Sequence, residues 1–305
     1  LGIVLMLFVA GMDYHIWQRL AVFGYLAAVA LSVAVMLFGR EINGSKRWLA
    51  LGPFSFQPSE FAKVALILFL ADLVTKNVKT IGKMWTLCRI MFWILPIVGL
   101  VGASNLSTAI IILGIGVILI FVASPKYAQF ALMGIAGACF MGIFLALESY
   151  RLERLAIWRN PEKYEKGYQT LQGLYAIGSG GVFGVGIGNS VQKLGFVPEA
   201  QNDMIFSIIC EELGLAGAGI IVFLFLLLIW RFFLIASGSR DLFGALIATG
   251  AMAHMMIQVI LNIAVVTNTI PNTGITLPFI SYGGTSVMFL LIEMGLVLSV
   301  SQVVD

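Results

Sequence analysis

The chain is short of charge. Only 11% of its residues are Asp, Glu, Lys or Arg, while 60% are hydrophobic and the mean hydropathy is +1.01. A soluble domain carries about 25% charged and about 45–50% apolar residues. Such a balance excludes an ordinary soluble globule and points to an integral membrane protein. Apolar runs of helix length recur, and there is no dyad pattern of short alternating strands, which argues against a barrel. The net charge of +3 is too small to suggest nucleic acid.

Cysteine and histidine are also scarce. Cys88, Cys139 and Cys210 show no CxxC and no ligand spacing, and they read as small core residues. His15 and His254 are far apart in sequence, which argues against a zinc site. Phosphate-loop chemistry is missing too. The glycine run 178–188, GSGGVFGVGIG, has no GK[ST] and follows no βαβ strand, so it reads as a tight re-entrant or kinked segment with positive-φ positions.

What is present is a series of apolar segments near 1–10, 20–38, 58–75, 88–104, 107–124, 127–147, 204–236, 242–267 and 285–304. The fold class expected is an all-α, multi-helix membrane bundle, with about nine spanning helices, forming a single polytopic domain over 1–305. The opening segment reads as the tail of a helix whose start precedes Leu1. The 204–236 segment is too long for one crossing: as a continuous helix it would reach roughly 50 Å against a hydrocarbon core of about 30 Å. Gly214, Gly217 and Gly219 are the candidate breaks. Residues 104–107 read as a tight hairpin.

Loop charge sets orientation. Residues 76–89 hold Lys76, Lys79, Lys83 and Arg89 with no acid, so this loop is cytoplasmic. Alternation then places 39–60, the long loop of about 148–203 and the 268–284 loop outside.

Scarce polar residues inside apolar runs mark function or a polar cavity. Glu60 and Lys63 stand i,i+3 just inside a helix opened by Gln57, Pro58 and Ser59. Arg40, Lys46, Arg47 and Trp48 precede them at the outer headgroup level, where basic groups suit an anionic lipid or a diphosphate. The stretch 196–214, FVPEAQNDMIFSIICEELG, gathers Glu199, Asp203, Glu211 and Glu212. Local sequence alone makes Asp203 a candidate helix cap; Glu211 and Glu212, two turns deeper, call for Arg or backbone partners. His254, Gln258 and Asn262 form an i, i+4, i+8 stripe at the depth of Glu293. This is either interhelical hydrogen bonding or a substrate wall.

Four pieces together resemble the SEDS family (shape, elongation, division and sporulation), the group of RodA, FtsW and SpoVE. They are GSKRWLALGPFSFQPSEFAK (44–63), GYQTLQGLYAIGSGGVFGVGIG (167–188), FVPEAQNDMIFSIICEELG (196–214) and IPNTGITLPFISYGGTS (270–286). The resemblance implies ten helices and a peptidoglycan glycosyltransferase that polymerises lipid II and releases undecaprenyl diphosphate. It implies a class B penicillin-binding protein as partner, and a place in the bacterial cytoplasmic membrane with the site facing outside. It makes Asp203 the catalytic carboxylate, with Glu60 and Lys63 beside it in that role. Arg40, Arg47, Trp48, Gln57, Ser59, Tyr168, Gln169, Gln172, Glu199 and Ser281 follow as substrate contacts. The cofactor is left open: Glu60 either orients Lys63 or binds a divalent cation such as Mg2+ or Mn2+. Two departures stand out. The family's PDLGT run is Ser104-Asn105-Leu106-Ser107-Thr108 here, which removes a charge at Asn105, and its SYGGS ends in Thr285. Competing classes are a transporter of the same lipid, using His254, Gln258 and Glu293, and a division scaffold with no chemistry.

Overall fold

The computed structural model describes all residues except 43–44, 52–53, 125, 132–133, 136, 138–154 and 305. Much of the apolar segment 127–147, Cys139, the first part of the 148–203 loop and the side chains of Arg40 and Lys46 lie outside the described residues.

Helices dominate, as apolar composition in a membrane requires, because each helix satisfies its own backbone groups. In chain order they are α1 (Gly2–Ala10), α2 (Tyr14–Phe38), α3 (Pro58–Asn77), α4 (Met84–Ser104), α5 (Leu106–Ala123), α6 (Tyr168–Gly180), α7 (Ile205–Gly238), α8 (Leu242–Val266) and α9 (Gly284–Ser301). Among the described residues six of them, α2, α4, α5, α7, α8 and α9, are long and apolar enough to cross a membrane. The chain is a multi-pass membrane protein. α3 has the length but carries Glu60, Lys63, Asp72 and Lys76 along it, and it is buried over most of its course.

The chain divides into two compact units. One comprises Leu1–Tyr127, Ile229–Ile257 and Gly283–Asp305, and the other Ala128–Leu228 and Gln258–Tyr282. In the first unit α3 is the central helix, packed by α2, α4, α5 and α9, while α1 lies along α9. Pro58 takes the first helical position of α3 after Gln57, where its missing N–H costs nothing. The expected hairpin between α4 and α5 is a single residue: Asn105 ends one helix and caps the next, its side chain accepting from the Thr108 amide at 3.2 Å. The neutral residue at the family's Asp position thus has a local structural task.

Between α2 and α3 the chain forms a three-stranded antiparallel sheet, β1 (Arg40–Ile42), β2 (Ser45–Leu51) and β3 (Phe54–Phe56), with Arg40 opposite Trp48 and Leu49 opposite Phe56. Nothing in the sequence reading anticipated it. Two of the strands are three residues long, and pairing rather than an alternating pattern holds them.

In the second unit α7 is broken at Gly214 (φ 67°, ψ −169°), one of the three expected glycines. The part beyond it, 215–238, extends roughly 36 Å at ~1.5 Å per residue and suffices for a crossing. A break leaves amides and carbonyls without helical partners, and the glycine run supplies them. The amides of Val185 and Gly186 donate to the carbonyls of Glu211 and Glu212 at 2.9 and 3.0 Å. The amides of Leu215 and Ala216 donate to those of Gly181 and Val182 at 2.9 and 3.0 Å. Glycine is required at the contact, since a Cβ on Gly184 (φ 77°) would stand 2.1 Å from the Glu212 carbonyl oxygen. The run is a backbone splint across a broken helix.

Candidate active site

Asp203 sits in the turn that leads into α7 and is 8% exposed. Its surroundings are neutral amides. Gln169, one residue into α6, points its Nε2 at Asp203 Oδ1 (3.4 Å) and at the Pro198 carbonyl (3.2 Å). Asn272 fixes that orientation by donating to Gln169 Oε1 at 3.1 Å. Gly274, at φ 67°, lies against the other oxygen of the carboxylate: a Cβ there would stand in ordinary contact, 3.8 Å from Oδ2. Asn262 of α8 clamps the backbone, its Nδ2 donating to the Asp203 carbonyl at 2.9 Å and to the Ile275 carbonyl at 2.7 Å.

Such an environment favours the neutral acid. Burial raises the Asp203 carboxyl to about 6, its own amide and Gln169 draw it down, and the charge of Glu199 adds to the rise. A carboxyl there is a base matched to near-neutral pH.

The irregular segment 270–282 is tied down around this turn. Gln258 donates to the Thr276 carbonyl at 3.0 Å. Ser281 accepts from the Leu277 amide at 2.7 Å and donates to the Asn202 carbonyl at 2.6 Å, and the Tyr282 amide donates to the Gln201 carbonyl at 2.8 Å. The Ser281 hydroxyl proton is therefore committed to holding the Asp203 turn. Glu199 is exposed, takes a hydrogen bond from Asn202 Nδ2 and has φ 54°. Tyr168 is exposed and Gln172 half-buried on α6. Of the expected residues in this unit, Gln169, Glu199 and Ser281 gather at Asp203. Asn262 and Asn272 were not anticipated as its supports. The i, i+4, i+8 spacing marked Asn262, but not its partner.

Glu211 and Glu212 have a different task. Glu211, 3% exposed, accepts from Ser190 Oγ, from the Val191 amide at 3.1 Å and from the Gln192 amide at 3.5 Å. Glu212 accepts from Lys193 Nζ at 2.5 Å and from the Ser190 amide at 3.3 Å. The backbone partners are as expected; the cation is a lysine rather than an arginine.

The other expected group lies in the first unit. Lys63 Nζ and Glu60 Oε1 pair at 3.0 Å, the lysine 2% and the glutamate 6% exposed. Ser286 of α9, whose role was not foreseen, donates to Glu60 Oε2 at 2.9 Å. Gln57 Nε2 donates to Ser59 Oγ at 3.1 Å. Arg47, in β2, gives its Nε to the Ser104 carbonyl at 3.1 Å and lines a narrow cavity with Ser32, Ser59, Ser104 and Asn105. Trp48 beside it is half-buried. Both Glu60 oxygens are engaged, and among the described residues no three His, Cys, Asp or Glu side chains converge as ligands. That donor set does not fit a divalent cation, and no step below runs through one.

Known proteins are similar to this chain in sequence and fold. The chain is 39% identical over 315 residues to stage V sporulation protein E of Bacillus subtilis, spanning 99% of this chain and 84% of that one. It is 36% identical to the probable peptidoglycan glycosyltransferase FtsW of Coxiella burnetii, over 99% and 83%. Among solved structures, a chain of the complex described in "Structural coordination of polymerization and crosslinking by a peptidoglycan synthase complex" superposes with a TM-score of 0.86. That match has 30% identity and covers 99% of this chain and 86% of that one. The rod shape determining protein RodA of Thermus thermophilus superposes with a TM-score of 0.72 at 29% identity, over 99% and 84%. A family model described as "Cell cycle protein" matches residues 1–305, and with these relatives it establishes that the chain belongs to the FtsW/RodA/SpoVE family.

Proposed function

We propose that this protein is a peptidoglycan glycosyltransferase that polymerises lipid II at the outer face of the bacterial cytoplasmic membrane, and that Asp203 is its general base. The observation that carries this reading is a buried carboxyl raised to about 6, held at the head of α7 by its own amide and by Gln169. The lysine-rich 76–89 loop supports the orientation.

Chain growth joins a sugar hydroxyl to the anomeric carbon of a lipid diphosphate sugar. The hydroxyl oxygen forms the new bond, its proton passes to Asp203, and the anomeric carbon–oxygen bond to the diphosphate breaks. The leaving group departs as undecaprenyl diphosphate and needs positive charge aimed at it. Lys63, oriented by Glu60, and Arg47, with Arg40 nearby in the chain, are the groups assigned to it. Gln169 holds the base. Tyr168, Gln172, Glu199, Trp48, Gln57 and Ser59 are the remaining substrate contacts in this reading. A class B penicillin-binding protein, a transpeptidase, is the proposed partner.

The test is lipid II polymerisation by purified protein, with and without a cognate transpeptidase, comparing wild type with Asp203→Asn. Glycan strands from wild type alone are expected. A folded wild type that makes none even with its partner would overturn the reading in favour of a lipid transporter, which a flipping assay would then examine.

A further inference from the structure

α3, α8 and α9 bring a second ionisable pair into the interior of the first unit. His254 Nδ1 and Glu293 Oε2 lie 2.7 Å apart, and each side chain is 2% exposed. Helix geometry sets His254 about level with Lys63. α3 and α8 are in close contact at Gly250, where a Cβ would stand 2.5 Å from Ile67. The loop charges make α3 run inward and α8 outward. Lys63 is thus one turn outward of Ile67, and His254 one turn outward of Gly250. His254 is close enough to act electrostatically on Glu60. α9 reaches both pairs from one face, through Ser286 to Glu60 and, two turns on, through Glu293 to His254. Among the described residues α3 carries the charged residues Glu60 and Lys63 near this level, with Asp72 and Lys76 two or more turns further along. α1, packed on α9, carries none, and the charged residues of α2, His15 and Arg19, sit at its cytoplasmic end.

Two neutral amides would join α8 to α9 at less desolvation cost than an acid and an imidazole. Glu293 is also left short: among the described residues its Oε1 is buried without a partner. An arrangement kept only for adhesion would gain nothing from a buried carboxyl oxygen left without a partner.

We propose that His254 and Glu293 are positioning residues that hold the Lys63 ammonium, through the buried hydrogen-bonded pair they place behind Glu60 and Lys63, in the orientation that meets the substrate diphosphate. This rests on the reading of Glu60 and Lys63 given above. The pair is not expected to touch substrate.

The experiment measures lipid II polymerisation across about pH 5.5 to 8.5, with kcat and KM, alongside thermal unfolding, for wild type, Glu293→Gln, Glu293→Asp and the double variant His254→Leu/Glu293→Leu. Glu293→Gln is expected to raise KM about tenfold with a smaller change in kcat and to alter the pH profile, with partial recovery in Glu293→Asp. The double variant, which removes both ionisable groups together, is expected to unfold no earlier than wild type and still to show the defect. Folded variants with wild-type KM and pH profile would overturn the proposal and leave the pair as interhelical adhesion. If the double variant does not fold, Glu293→Gln decides by the same readouts. A wild type that makes no glycan would instead fail the functional reading itself, so the two failures are distinguishable.

Discussion

Asp203 and Glu211 are eight residues apart in one apolar stretch, and both are buried. They differ in what meets them. Glu211 accepts from a serine hydroxyl and two backbone amides of the 190–192 turn. Asp203 has its own amide, one side-chain amide at 3.4 Å and the unfavourable charge of Glu199, and burial dominates. A carboxylate saturated by fixed local donors is a clasp, because its charge is consumed in holding the chain. A carboxylate left short of donors keeps its basicity, and proton abstraction needs that. Scarcity of acids drew attention to both; only the partners separate them.

The largest effect expected from breaking this contrast is on activity, at Asp203. Asp203→Asn keeps the shape and the Gln169 contact, and should lower polymerisation by at least about 10³-fold, within the range seen when a general base is lost. Stability should move the other way. Because the carboxyl is raised from its usual 3.8 to about 6, the folded state holds its proton more tightly than the unfolded chain. Ionising Asp203 therefore costs stability as pH rises from about 4 to about 6, and the full cost, roughly 3 kcal/mol at most, persists above that. Thermal unfolding of Asp203→Asn should lie above wild type at pH 7 and converge with it below about pH 4. The wild-type rate should rise with pH through about 6 and then level off. A rate independent of pH across that range would remove Asp203 as the base.

Glu211→Ala should show the opposite pattern. It strips the turn at Ser190, Val191 and Gln192 of its acceptor and leaves buried donors unpaired, at a cost of about 3 kcal/mol. Reduced yield and a lower Tm are expected, with activity per folded molecule largely retained. A Glu211→Ala protein as stable as wild type but inactive would mean that the clasp and the base had been assigned the wrong way round.

How much of this was legible depends on the kind of signal. Glu60, Lys63 and Asp203 stood out because an ionisable group in an apolar run is costly enough to need a reason. The break in α7 was legible from length and the glycine at 214. The glycine run could be read as a kinked segment from its composition, but not as the splint for α7, because that pairing joins residues about 30 apart by backbone groups that carry no sequence label. The β1–β3 sheet was hidden for a similar reason. Asn262 lay on a visible polar stripe, yet its partners are the carbonyls of Asp203 and Ile275, and carbonyls look alike in every sequence. Ser286 carried no reading of its own in the 270–286 motif, because only the packing of α9 places it on Glu60.

A smaller effect should come from the clamp on the Asp203 backbone. Asn262→Ala removes two hydrogen bonds that tie the turn to the 270–282 segment. Each carbonyl would lose its donor in a buried place, which costs about 1–3 kcal/mol. Polymerisation should fall about 10–100-fold, mainly in kcat, since the base is displaced rather than removed. Asn262→Asp, which keeps the size but replaces the donor amide, should be no better.

The smallest effect separates the two carboxylates most sharply. Among the described residues Gln169 is the one side chain that donates to the Asp203 carboxyl, at a distance where a hydrogen bond is weak. Gln169→Leu removes that donor and leaves burial unchanged. Since Gln169 draws the Asp203 carboxyl down, its loss should move the rising limb of the pH–rate profile to higher pH. The variant should then be several-fold slower than wild type near pH 6 and close to wild type near pH 8, where Asp203 is ionised in both. A uniform loss at all pH values would mean that Gln169 serves the sugar rather than the base. No loss at any pH would mean that Asp203 is governed by burial alone, so that its difference from Glu211 is one of solvation and owes nothing to the α6 amide.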